Sequence, residues 1–300
     1  MRVATNTVDN NIISQIEQLT TQQAQLQNEV STGLRISAPA DDPTAFGRVM
    51  VDNSESRANS QYSSNASSAL ATSQATYSAL QQVKAVSDRA TQIGTLGTGT
   101  LGASAMSAYG SEVDQLIEQA VQLGSSQLNN SYLFSGTAVT TPPYNVARNA
   151  QGQVTSVSYA GNNAQASIPI SGTSNIAPGA DSSTNQGLTS FINNLVALRD
   201  ALNSGDTAAV GTAQSGLLTT ENTIINSISE QGAVQMRIQV SQDQQTSLSQ
   251  TLGQLVSNET STDLPTTVAK LTQAQNAYQA AVQSAASIMQ KTILTYLPVQ

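Results

Sequence analysis

The segment IISQIEQLTTQQAQLQNEVSTGLRISAPADDP, residues 12–43, decides how the rest of the chain is read. Ile12, Ile16, Leu19, Gln23, Leu26 and Val30 are spaced 4, 3, 4, 3 and 4 residues apart, a heptad seam with one polar interruption. The spacing predicts a helix from about Asn6 to Val30 that stops at Ser31-Thr32-Gly33. Further on, Asp42 and Pro43 form a cap and first-turn pair that opens a second helix. A seam this narrow is not the broad stripe of a globular helix; it asks for a partner helix.

The chain's last stretch supplies one. Leu264, Val268, Leu271, Gln275, Tyr278, Val282, Ala285 and Met289 keep the same alternation, continued by Thr292 and Tyr296. Asp263 can cap this helix, and Pro265 falls in its first turn, where a missing N–H does no harm. Alanine-rich flanks on both seams suit packing against other copies of the chain. An antiparallel pair within one chain satisfies the same spacing.

Between the ends, a long helix starts at Asp42-Pro43 and runs to the Gly94–Gly102 cluster. A second carries Val113, Leu116, Ile117, Ala120 and Leu123 on one face, and a third carries Phe191, Leu195, Leu198 and Leu202 up to Gly205. A last one extends from about Thr207 to Glu259. Residues 137–187 differ, being rich in Gly, Pro, Ser, Thr and Asn. There Gln153–Tyr159 and Ala164–Ile170 alternate with period two around Gly161-Asn162-Asn163, which predicts a β-hairpin. The expected fold is therefore mainly α. It is an elongated rod of long antiparallel coiled-coil helices, with a small β-rich insert at the end distant from the termini. The expected divisions are a terminal coiled coil (1–42 and 260–300), a helical rod (43–136 and 188–259) and the surface insert (137–187).

Composition narrows the chemistry. The 300 residues include no Cys, His or Trp, which excludes thiol and Ser-His-Asp catalysis, His- or Cys-ligated zinc, and disulfides. Only 10% of residues are charged, against about 25% in ordinary domains, and the net charge is −8. Eleven basic residues in an acidic chain do not neutralise a run of phosphates, so nucleic acid is not expected as a partner. No apolar run is long enough to span a membrane, and the N-terminus lacks the apolar core of a cleaved secretory signal.

Three motifs invite chemistry, and each has a plainer reading. Gly97-Thr98-Gly99-Thr100-Leu101-Gly102 matches a dinucleotide fingerprint, but a helix precedes it where the fingerprint needs a strand, so an inter-helix loop is expected. Asp41-Asp42 reads as helix capping rather than a metal-binding pair. Asp114 and Glu118, like charges one turn apart, read as a solvated face. No catalytic, cofactor or metal residues are expected.

Val30-Ser31-Thr32-Gly33-Leu34-Arg35-Ile36-Ser37, followed by Ala40-Asp41-Asp42-Pro43, resembles the N-terminal signature of the bacterial flagellin superfamily. Gly232-Ala233-Val234-Gln235-Met236-Arg237, Leu271-Thr272-Gln273-Ala274-Gln275 and the apolar tail Ile293–Leu297 resemble its C-terminal motifs. The resemblance covers about residues 1–130 and 190–300. Filament flagellins usually open Met-Ala and carry DDAAG. Met1-Arg2-Val3-Ala4-Thr5, the DDP start and Tyr132-Leu133-Phe134-Ser135-Gly136-Thr137 instead resemble the superfamily's hook–filament junction branch, with Leu34 standing where that branch often has Lys.

The resemblance implies a non-enzymatic structural subunit, exported through the flagellar type III channel and residing in the extracellular flagellum. It implies copies of itself as partners in a tubular assembly, an adjacent hook-associated protein and flagellin as neighbours, and an FlgN-type export chaperone at the C-terminal helix. It involves no membrane insertion. The terminal coiled coil would carry the assembly seam: Ile12, Ile16, Leu19, Leu26 and Val30 with Leu264, Val268, Leu271, Tyr278, Val282 and Met289. A filament flagellin is the neighbouring reading. A secreted polysaccharide-binding or hydrolytic protein built on the insert is a reading of another class. The insert's single acid, Asp181, supplies no carboxylate pair for glycoside hydrolysis, and the lack of Trp weakens a sugar-stacking platform.

Overall fold

The computed structural model describes the backbone of residues 2–296 and the side chains of residues 10–288. Six helices dominate: α1 (Arg2–Thr32), α2 (Pro43–Gly97), α3 (Ala103–Gly124), α4 (Ser182–Ser204), α5 (Thr207–Thr260) and α6 (Leu264–Tyr296). Between α3 and α4 lie β1 (Gln127–Leu128), β2 (Ser131–Tyr132), β3 (Tyr144–Arg148), β4 (Val154–Tyr159), β5 (Ile168–Pro169) and β6 (Asn175–Ile176), paired antiparallel as β1–β2, β3–β4 and β5–β6. The chain forms two compact units, residues 1–57 with 249–300 and residues 58–248, so the division falls inside α2 and α5 rather than at residues 42 and 260.

The core of the second unit forms where the apolar faces of four helices meet. Leu80, Val83 and Ile93 of α2, Val113 and Ile117 of α3, Phe191, Leu195, Leu198 and Leu202 of α4, and Leu217 and Ile224 of α5 are all buried. The start of α4 is fixed by Asp181, whose side chain accepts from the Thr184 N–H at 2.7 Å, and its end by Gly205 at φ 72°. Tyr144, Val154 and Val157 belong to the same core as Phe134, so residues within the segment read as a surface insert take part in the helical unit's packing.

The hairpin expected around Gly161-Asn162-Asn163 does not form. β4 turns back to pair with β3, Tyr144 opposite Tyr159. The deciding turn is Asn149–Gly152. The Gly152 N–H donates to Asn149 O at 3.0 Å, Asn149 Oδ1 accepts from the N–H groups of Gln151 and Gln153, and Gly152 has φ 85°. Asn162 instead clamps two loops, accepting from the N–H groups of Thr137 and Ala164. The outer edge of β4 is covered by α4, where the Asn193 amide both accepts from Val157 N–H and donates to Val157 O, at 2.9 and 2.8 Å.

Asp114 and Glu118 are likewise not a merely solvated face. Asp114 accepts from Arg199 at 2.9 Å, and Glu118 pairs with Arg148. Arg199 is buried and also donates to Val154 O at 2.7 Å, tying α4 to α3 and β4. Periodicity alone hides such pairing, because the partners are 85 and 30 residues away in sequence.

In the first unit, the break after α1 docks on the break after α5. Arg35 N–H donates to Thr260 O at 2.7 Å, Thr262 N–H donates to Gly33 O at 3.0 Å, and Leu34 bridges to Ser261. Gly33 takes φ 71°, which ends α1 and aims the chain across. Arg48 grips Glu259 with two bonds of 2.9 and 3.0 Å, and Arg35 donates to Glu259 O. Asp42 accepts from the N–H groups of Ala45 and Thr44 just ahead of Pro43, the geometry of a helix cap, while Asp41 closes the preceding loop on the N–H groups of Ser37 and Ala38.

These bonds hold the Asp41 and Asp42 carboxyls below the usual range, chiefly through the N–H groups of Ser37 and Ala45 respectively; Arg48 does the same to Glu259. A carboxyl whose folded pKa is depressed contributes stability above its unfolded pKa and loses it as pH falls. The clasp should therefore hold at pH 6 and loosen as pH drops below about 4, the ordinary carboxylate range. Amide exchange at Gly33–Ala45 and Glu259–Thr262 measures this, and Asp42→Asn, which has no carboxyl to protonate, should flatten the acid-dependent rise in exchange. Leu195→Ala, in the core of the second unit, should cost about 2–5 kcal/mol of stability in thermal unfolding, because it leaves a cavity with no solvent access.

Candidate assembly surface

The clasp sets the register of the terminal helices. Gly33 meets Thr262, so α1 and α6 run antiparallel and residues whose numbers sum to about 295 stand level. The two helices pack along their lengths. On α1 the inward face carries Ile12, Ile16, Leu19, Gln23, Leu26 and Val30. Leu26 is buried and the others are half-buried, while the intervening positions are almost all exposed.

On α6 the packed face departs from the one read from sequence. Thr267, Ala274 and Ala285 are buried, and Leu271, Tyr278 and Ala281 are half-buried, a 4, 3, 4, 3, 4 series of mostly small residues. Leu264, Val268 and Val282 are exposed, lying on one flank of that face. The physical reason is width. The apolar surface of α6 is broader than one seam, and its small-residue side lets α1 approach closely, as alanine contacts allow. Of the residues assigned to the seam from sequence, Ile12, Ile16, Leu19, Leu26, Val30, Leu271 and Tyr278 thus meet within the pair. Leu264, Val268 and Val282 do not, and Met289 lies outside the described side chains.

Helical phase places the exposed flank of α6 beside a matching flank of α1. At 100° per residue, Ile13, Thr20 and Ala24 fall on the same side of the pair as Leu264, Val268 and Val282, and Ile13 stands level with Val282. The other side of α1 presents Asn11, Gln15, Gln18 and Gln22. One side of the pair is therefore the more apolar and is open, while the other is polar along Asn11–Gln22. Ile13 escaped the sequence reading because the heptad count uses only Ile12 of the Ile12-Ile13 doublet; the doublet itself was the available signal.

Among the described residues no cluster of His, Cys, Asp or Glu is suited to a metal ion. The Gly97–Gly102 loop joins α2 to α3, and a Cβ at Gly97 would lie 2.7 Å from Leu202 Cδ2, so close packing accounts for that glycine.

Residues 3–139 match the family of the bacterial flagellin N-terminal helical region. No protein of curated function matches the sequence. Among solved structures, the chain is similar to a candidate flagellar hook-associated protein of Vibrio parahaemolyticus, at 17% identity and TM-score 0.65, over 74% of this chain and 100% of that one. It is also similar to Bacillus cereus FlgL, at 17% identity and TM-score 0.59, over 69% and 99%. Flagellar hook-associated protein 3 of Legionella pneumophila matches at 10% identity and TM-score 0.57, over 70% and 98%. The chain therefore matches the bacterial flagellin N-terminal helical region over residues 3–139, and its fold is similar to that of these hook-associated proteins.

Proposed function

We propose that this chain is a structural subunit of the bacterial flagellum that polymerises at the hook–filament junction and connects hook to filament. The observation that carries the reading is the open apolar side of the terminal pair, Ile13 with Leu264, Val268 and Val282, on a helix pair whose inward faces already satisfy each other. A contiguous exposed apolar face of this kind marks an interaction site. The flagellin N-terminal region and the FlgL fold supply the context, a tubular assembly of copies with a hook-associated protein on one side and flagellin on the other. The subunit acts outside the cell, works by packing rather than catalysis, and is handed to export by a chaperone that holds its C-terminal helix. The terminal pair is its assembly module, and the second unit is the body that assembly carries.

The test is a strain whose only copy carries Val268→Asp and Val282→Asp. Both side chains are exposed, so thermal unfolding of the purified monomer should stay within about 0.5 kcal/mol of wild type. The cells should export the protein yet leave hooks bare, with flagellin spilled into the medium. Normal filaments and motility would overturn the reading. Deleting the gene discriminates further: hooks without filaments and shed flagellin mark a junction subunit, whereas capped hooks or filaments of another flagellin mark a filament subunit.

A further inference from the structure

The second unit carries an apolar stripe of its own. On α5, Ile238, Gln231, Gln245 and Ile224 are buried, and the opposite side of the helix carries Leu218, Ile225, Met236 and Val240. Met236 and Val240 are 70% and 62% exposed, far more than a large apolar side chain needs to be on a solvated helix. The stripe spans 23 residues, roughly 33 Å of helix from the first to the last. Its outward line holds one charge near its end, Asp243, which has no ion-pair partner among the described residues.

The helix antiparallel to it is α2. Asn59 donates to Gln245 O at 2.8 Å and Ser73 to Gln231 Oε1 at 2.8 Å, so positions summing to 304 stand level within one chain. The side of α2 turned away from α5 has no charge from Ala58 to Val83. Arg57, on that same side at the helix turn before, is exposed and has no ion-pair partner among the described residues.

The stripe and the uncharged face point in opposite directions, so one chain does not satisfy both. We propose that α5 of one copy packs its Leu218–Val240 stripe against the outward face of α2 in the next copy, with Asp243 of the first paired to Arg57 of the second. The occupant is a second copy because the charges in line with the two faces, Asp243 and Arg57, are opposite in sign and sit at their matching ends, while Glu230 and Arg237 lie at the edge of the α5 stripe, where they can keep their water. Such a contact is heterologous, using two different patches, so it repeats from copy to copy into a ring or helix rather than closing as a dimer. This deepens the flagellar reading and rests on it: the terminal pair gives one contact between subunits and the α5–α2 face gives another.

Pairing Asp243 with Arg57 also fixes a register. Positions summing to 300 then stand level between copies, against 304 within a chain, a stagger of about 6 Å at 1.5 Å per residue. Met236 of one copy falls opposite Ser64 of the next. The chain contains no cysteine, so introduced ones can pair only with each other. Flagella isolated from cells carrying Met236→Cys with Ser64→Cys as the only copy should give, on mild oxidation, a ladder of dimers, trimers and higher bands on a non-reducing gel. Either single variant should give no ladder. Met236→Cys with Ser78→Cys, some 14 residues or about 21 Å off register, should give less than a tenth of the cross-linking. The proposal is overturned if the protein is present in the flagella and the first pair does not ladder, or if both pairs ladder equally. Absence of the wild-type protein from isolated flagella would overturn the structural-subunit reading itself.

Discussion

The backbone clasp between Gly33–Arg35 and Thr260–Thr262 is the constraint on which the terminal pair depends. It joins residues more than 220 positions apart, as in the Arg35–Glu259 bond. Closing a loop of that length from an unfolded chain costs entropy that two backbone bonds do not offset alone. Once made, the clasp fixes which residue of α1 stands level with which residue of α6. The Arg48–Glu259 pair and the Asp42 cap then brace the strand that leaves it. The open apolar side exists only because this register brings Ile13 to Val282.

The α2–α5 pair is held by a different device. Its contact in the second unit is studded with buried polar side chains: Asn59, Ser73, Gln231 and Gln245, the last also donating to Ile170 O at 2.6 Å. The apolar cluster beside them is small, built from Ala66, Ala69, Ile170, Ile176 and Ile238. Two long helices with alanine and serine along their seam slide past one another at little cost, since one small residue replaces another. Buried polar partners remove that freedom, because any slip leaves a donor or acceptor unpaired in a dry seam. The β5–β6 hairpin takes part in the same specification, offering Ile170 O to Gln245 and Ser241.

Most of the helical architecture was legible in sequence. The heptads, the Asp42-Pro43 start and the Gly205 stop are local signals whose physics is complete within a few residues. The failures share a cause in non-local packing. The α6 seam was misread because large residues mark a helix's apolar surface without saying which part of it a partner covers; here the small Thr267, Ala274 and Ala285 won that place. The hairpin was misread because Gly161-Asn162-Asn163 and Asn149–Gly152 are both turn-like, and only the burial of Tyr144, Val154 and Val157 decides between them. Arg199 gave no sequence signal at all, since a buried arginine is recognised by its acceptors, and Asp114 and Val154 O are brought to it only by the fold.

The scarcity of charge gains a physical meaning from where the charges sit. Of the nine basic side chains described, Arg35, Lys84, Arg148, Arg199, Arg48 and Arg89 form ion pairs within the chain, five of them joining separate elements: Arg48 to Glu259, Lys84 to Glu221, Arg89 to Glu112, Arg148 to Glu118 and Arg199 to Asp114. Charge is thus concentrated where it fixes the monomer. The outward sides of α2, α5 and the terminal pair carry few charges, Arg57 and Asp243 among them, and are otherwise mostly Gln, Ser, Thr, Ala and exposed aliphatic residues. A lysine or glutamate on such a face would keep a monomer soluble but would have to lose its water on assembly, at a cost of several kcal/mol unless paired. A neutral polar side chain surrenders its water more cheaply and regains a hydrogen bond from the neighbour. The composition thus suits the proposed assembly, in which a chain folded on internal ion pairs and an apolar core buries further neutral surface against copies of itself.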